Sequence, residues 1–340
     1  MRQPSSHRDL PATENAAARS GADVLPILTI GYEPAPHDDA SILAVIGFGA
    51  TAKSDDPHFL NVALEPLQAG ETRCEVWRTS GRVTRGVEGH VRWSSDSTYS
   101  MAIVELAESE HGGVAETARL AYASLVAWVQ ASATPHLLRI WNYFDAINEG
   151  DADAERYRQF CSGRAAGLGP SFAGNYPAAS AIGTRSGKRV VQVYALAARA
   201  PGKAIENPRQ WSAWRYPRQY GPTAPGFARA LRAPTQFPQL YISGTAAVVG
   251  HESHHADDLH AQLRETLTNL ETLLQSAQSK TALGKGVGDI LKVYVRRSGD
   301  AEWLRSHLRS ALGDDVPLMF LHGDICRSEL LLEIDGIHAG

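Results

Sequence analysis

The order of predicted elements occurs twice along the chain, and this repeat restricts the fold more than any other feature. From Val114, "VAETARLAYASLVAWVQ" spaces its apolar residues as a helix does, "HLLRIWNYF" reads as a strand, "DADAERYRQFCSGRAAGL" as a second helix and "GKRVVQVYALAA" as a strand. Later "DDLHAQLRETLTNLETLLQ" puts Leu259, Leu263, Leu267, Leu270 and Leu274 on one helical face. "DILKVYVRR", "DAEWLRSHLRSAL", "PLMFLHGDIC" and "ELLLEIDGI" then read as strand, helix, strand and strand. Such a repeat implies a duplicated α+β unit. The match reaches detail: "YPAASAIGTRSGKRVVQVYALAA" and "VPLMFLHGDICRSELLLEIDGIHA" both read as two strands around a tight turn, with Gln192 where the second copy has Glu333.

The repeat also sets the expected organisation. Residues 1–22 are polar and without period, a disordered tail. Residues 23–200 form an N-terminal domain that opens with the β-like segments "DVLPILTIGY", "SILAVIGFGA", "TRCEVWRTSG" and "YSMAIVELA" and contains the first copy. Residues 201–238 are a loop rich in Pro, Arg and aromatics, and residues 239–340 are the second copy. A connection that long inside a compact protein is usually functional or disordered.

Composition removes several function classes. At 340 residues, 43% hydrophobic and 21% charged, the chain can bury a sizeable core. Its formal charge of -4 offers no basic stripe for nucleic acid or an anionic membrane, and no apolar run approaches a membrane span. The expected setting is the cytoplasm, with small-molecule chemistry. Cys74, Cys161 and Cys326 are scattered thiols without a CxxC pair, so neither a disulfide framework nor a zinc knuckle is expected.

The terminal segment "HGDICRSELLLEIDGIHAG" carries the chemistry, because Glu333 interrupts a run of apolar residues. A two-residue turn at Ser328 and Glu329 would pair Cys326 with Leu331, Asp324 with Glu333 and His322 with Asp335. One face would then hold a thiol, three carboxylates and an imidazole, and the other Ile325, Leu332 and Ile334. Two facing carboxylates shielded from water cannot both ionise cheaply, which makes one a candidate general acid. A solvated sheet face would show the same alternation, and a one-residue slip would move Cys326 across the sheet.

Other segments carry less. "GHESHHADD" brings His251, Glu252, His254 and His255 together, but it is not HExxH and suits a surface helix entry with Asp257 and Asp258 near the dipole. "GFGAT" is a fragment of a phosphate loop without its lysine. "NPRQWSAWRYPRQYGPTAPGFARA" is stronger: Arg209, Arg215, Arg218 and Arg229 among Trp214, Tyr216 and Tyr220 could grip a small anion, or form a packing strap. Arg139 and Arg296 sit on or at the end of predicted strands.

Several of these stretches, "LRIWNYFDAIN", "ERYRQFCSGRA", "PAASAIGT", "ENPRQWSAWRYPRQYGP", "FARA", "ISGTAAVVGHES" and "DICRSELLLEIDGIH", together resemble the chorismatases, chorismate-cleaving enzymes that include 3-hydroxybenzoate synthases. The likeness runs from about Thr134 to Gly340, and the part from about Leu240 also resembles the RidA/YjgF fold. The resemblance implies duplicated RidA/YjgF-like (chorismate-mutase-like) units with mixed sheets backed by helices and a β-rich N-terminal region. It implies chorismate as substrate, Glu333 as the acid, and Cys326 as the residue that favours hydroxybenzoate over hydrolysis. It implies Tyr216, Arg229, Arg218, Arg139 and Arg296 as substrate binders. Ala246 stands where the 3-hydroxybenzoate branch tends to have a glycine nearby, which leaves room for some 4-hydroxybenzoate. Protonation chemistry implies no metal or organic cofactor. RidA proteins are trimers, so two copies plus the N-terminal region could close a similar ring as a monomer, or the chain could be a homotrimer. A RidA-like imine deaminase would need an arginine where this chain has Phe320. A non-catalytic binding module of that fold would not require Glu333.

Overall fold

Two units with one strand order follow each other along the chain, as the repeat requires. In this computed structural model residues 24–34, 39–49, 54–67, 74–172 and 174–339 are described; the tail expected over residues 1–22 lies outside them. The first unit comprises β1 (Tyr99–Ala107), α1 (Val114–Ala131), β2 (His136–Asp145), α2 (Arg156–Leu168), β3 (Ala178–Thr184) and β4 (Val190–Ala198). The second comprises β5 (Gln239–Thr245), α3 (Leu259–Ser276), β6 (Ile290–Val295), α4 (Ala301–Leu312), β7 (Leu318–His322) and β8 (Leu332–Ala339). In the first, β3 is parallel to β2, β2 antiparallel to β4, and β4 antiparallel to β1. In the second, β7, β6, β8 and β5 repeat that order and those directions. Gln192 pairs with Tyr143 and Glu333 with Tyr294, so the equivalence read from the sequence holds in register.

The two-strand hairpins expected at the end of each copy do not form. A turn closes at Arg327–Leu330, Leu330 N donating to Arg327 O at 3.1 Å. The flanking strands diverge because β6 lies between β7 and β8, as β2 lies between β3 and β4. The chain must pass from β7 across the end of β6 to reach β8, and residues 323–331 make that crossing. Part of that connection, Asp324–Ile325, pairs with β3 of the first unit, Ile182 opposite Ile325 and Gly183 opposite Asp324. Asp324 and Glu333 therefore do not face each other.

The N-terminal region is a third unit, with no helix among its described residues. Phe59–Val62 is parallel to Ile42–Phe48, which is antiparallel to Cys74–Arg78, which is antiparallel to Thr29–Glu33. Strand order in the chain and in the sheet match the other two units. The three inner faces share one core that includes Trp77, Trp141, Tyr194, Tyr241 and Tyr294. Within it the three units are joined by polar contacts: Lys292 Nζ donates to Glu75 Oε2 at 2.7 Å and to Tyr194 OH at 3.0 Å.

Helices cover the outer faces. Leu263, Leu270, Leu273 and Leu274 of α3 are buried on the second sheet, each worth about 1.5–3 kcal/mol when fully buried. Gly163 lets α2 approach α1, since a Cβ there would lie 1.9 Å from Ala115 O. Among the described residues no helix is long and apolar enough to cross a membrane. The segment 201–238 is partly ordered by strands: Lys203–Ile205 pairs with Ala230–Arg232, which extends the second sheet beside β5. The corresponding edge of the first sheet carries Val91–Ser95 and Thr84–Glu88 beside β1.

Candidate active site

Glu333 sits at the second position of β8, where the strand alternation that buries Asp335 also turns its carboxyl inward to the junction of the two helical units. A cavity of about 360 Å³ opens there, a volume in the range of small-molecule sites. β3 and α2 of the first unit form one wall, and β5, β8 and residues 326–330 of the second form the other. Part of segment 201–238 closes it, through Gln210, Tyr216, Tyr220, Phe227 and Arg229.

Burial pushes the Glu333 carboxyl up to about 8, and the Asp335 charge adds to the effect, while Arg139 and Arg229 oppose it. The sequence led to Asp324 as the partner that raises it; the structure assigns that influence to Asp335 on the same strand. Asp324 is instead held by Arg185 and by Arg296, the latter at 2.7 Å. Asp335 is fully buried and accepts from Arg139 Nη2 at 2.9 Å, Ser180 Oγ at 2.7 Å and Tyr294 OH at 3.1 Å. Those donors satisfy its carboxylate oxygens, and Glu333, raised to about 8, is the carboxyl that retains a proton at neutral pH. Gly244 makes room for the acid: a Cβ there would fall 1.8 Å from Glu333 Oε1.

Cys326 lines the same cavity and packs with Ala246, Val248, Ile325 and Leu330. Burial, with the Glu333 charge second, pushes its thiol up to about 12, so at neutral pH it is an uncharged, weakly hydrogen-bonding wall. The donor end of the cavity is arginine-rich. Arg229 Nη2 donates to Trp211 O and Tyr216 OH, both at 2.7 Å, and its buried Nε has no hydrogen-bond partner. Arg164 Nη2 donates to Gly226 O at 2.6 Å, and its Nε is likewise buried and unpaired. Arg327 stacks on Tyr220, 4.0 Å from the ring centroid, and donates to His251 O at 2.8 Å. Three guanidiniums and a neutral acid suit a small, doubly anionic ligand that must be protonated.

Glu333, Cys326, Tyr216, Arg229 and Ala246 thus come together on one cavity. Arg139 lies behind it with Asp335. Arg296 does not line it but ties Leu330 O, Ile325 O and Arg327 O, at 2.7, 2.9 and 2.9 Å, bracing the segment that carries Cys326. Arg218 is exposed and paired with Asp153. Sequence reasoning missed Gly244, Arg164 and Arg327. Arg164 had a signal: it shares one helical face with Phe160 and Leu168, all buried. "GHESHHADD" places Asp258 as the α3 N-cap, accepting from Ala261 N at 2.9 Å, and no metal-holding group occurs among the described residues.

Comparison with known proteins accords with this geometry. The family model described as "Chorismatase FkbO/Hyg5-like, N-terminal" matches residues 75–197. The chain is 36% identical to a 3-hydroxybenzoate synthase of Streptomyces hygroscopicus over 281 residues, which cover 78% of this chain and 82% of that protein. It is 34% identical to a chorismatase of the same organism, over 79% of this chain and 80% of that protein. A crystal structure of a chorismatase superposes with a TM-score of 0.81 at 30% identity, covering 92% of this chain and 99% of that one.

Proposed function

This chain belongs to the chorismatase family of chorismate-cleaving enzymes, and we propose that it acts in the cytoplasm to convert chorismate to pyruvate and 3-hydroxybenzoate. One observation carries the reading: a carboxyl raised to about 8 by burial faces a cavity whose other end is cationic. Arg229 with Tyr216 binds one substrate carboxylate, and Arg164 or Arg327 the other. Glu333 gives its proton to the methylene carbon of the enolpyruvyl ether, making an oxocarbenium ion. The ring hydroxyl loses its proton to the Glu333 carboxylate and displaces the ether oxygen. That C–O bond breaks to release pyruvate, and the arene oxide left behind aromatises to hydroxybenzoate. Atoms balance without water, and Glu333 ends protonated.

Cys326 decides between this path and hydrolysis by keeping water from the ring; Ala246, packed against it, narrows the same wall. Incubation of the purified protein with chorismate, with pyruvate assayed and aromatic products separated, tests the proposal. Pyruvate with 3-hydroxybenzoate is expected, and Cys326→Ala should shift product toward a non-aromatic diol. A wild type that yields only the diol rejects the role of Cys326, and a wild type that yields no pyruvate rejects the activity.

A further inference from the structure

The three units meet at three junctions, and the catalytic cavity occupies one of them. A second cavity opens at the junction of the first unit with the N-terminal sheet, built from the corresponding parts. Gln192 on β4 takes the place of Glu333 on β8, as register dictates. Glu105 on β1 is its register partner, and Gln192 Nε2 donates to the Glu105 carboxylate. Asn61 enters from the third strand of the N-terminal sheet, as Ser180 enters from β3. Arg92 comes from the strand added beside β1, and Arg229 lies next to the strand added beside β5.

We propose that this second cavity is a non-catalytic small-molecule site that takes an α-amino acid zwitterion. An amide cannot act as the acid that Glu333 is, so the protonation chemistry is absent by construction. Glu105 puts a carboxylate beside the amide of Gln192 on the cavity wall, which favours an ammonium at that point of a ligand. The opposite requirement is met by other residues of the same lining: Lys188 and Arg92 both line the cavity, and Lys188 is exposed. Arg92 Nη1 donates to Phe59 O at 2.6 Å, which fixes its guanidinium at the rim with donors to spare. A ligand with one ammonium and one carboxylate satisfies both ends; a dianion such as the catalytic substrate meets Glu105 and is repelled.

Isothermal titration of the full chain with L-serine, L-phenylalanine and L-glutamate, each to about 10 mM, tests this. At least one should bind both the wild type and Glu333→Gln, with affinity about tenfold lower in Lys188→Ala, a loss corresponding to one carboxylate contact. Lys188 is exposed, so its replacement leaves folding and chorismate cleavage unchanged. Glu105→Gln should weaken the same ligand. No binding of any of the three, or binding untouched by Lys188→Ala, overturns the proposal.

Discussion

Replacing Glu333 with glutamine removes the proton proposed for catalysis and should also stabilise the protein, by an amount that grows with pH. A glutamate ordinarily titrates near 4.5, whereas burial and Asp335 raise Glu333 to about 8. At 1.36 kcal/mol per pH unit the buried site disfavours ionisation by about 5 kcal/mol. Between the two values the native state holds a proton that the unfolded chain releases, so stability falls as pH rises through that window and levels off above it. Glutamine is nearly isosteric and does not titrate. The stability gap between Glu333→Gln and wild type should therefore widen by about 4 kcal/mol from about pH 5 to about pH 9, nearly all of it below about pH 8. Urea denaturation of both proteins at about pH 5, 7 and 9 measures it directly. Parallel pH profiles would refute the claim that Glu333 is protonated at neutral pH in the folded enzyme.

Gly244→Ala should abolish turnover while preserving the fold, because its Cβ would lie 1.8 Å from Glu333 Oε1 and force the acid aside. A loss of about 10²-fold or more in kcat with an unchanged circular dichroism spectrum is expected. Asp335→Asn removes the charge that adds to the rise at Glu333, so the alkaline limb of the kcat profile should move to lower pH; an unmoved limb would leave burial as the sole cause.

The duplicated unit, its helices and the equivalence of Gln192 with Glu333 were legible because side-chain period follows local backbone geometry. The third unit was not, since no helix occurs among its described residues and its Phe59–Val62 strand is too short to carry a pattern. Hairpin pairing failed for a nonlocal reason: "GDICRSELL" does contain a turn, but whether two strands pair or admit a third between them depends on β6, far away in sequence. The same limit shaped the site. Glu333 stood out as a carboxylate within an apolar strand, and Tyr216 and Arg229 within an unusually long loop. Arg327 was hidden because its cavity position comes from a crossover that pairs with the other unit at Asp324–Ile325. Gly244 carried no chemical signal of its own; only the approach of Glu333 Oε1 explains it.

Glu333 is proposed as the proton donor to chorismate. The most direct test of that role is the rate of pyruvate release from chorismate by wild type and by Glu333→Gln, compared at neutral pH with the folds of both verified. A fall of about 10²–10⁴-fold or more in kcat, with substrate still bound, is predicted for loss of a general acid. Turnover by Glu333→Gln within about tenfold of wild type would contradict the account, because an amide at that position has no proton of suitable acidity to give.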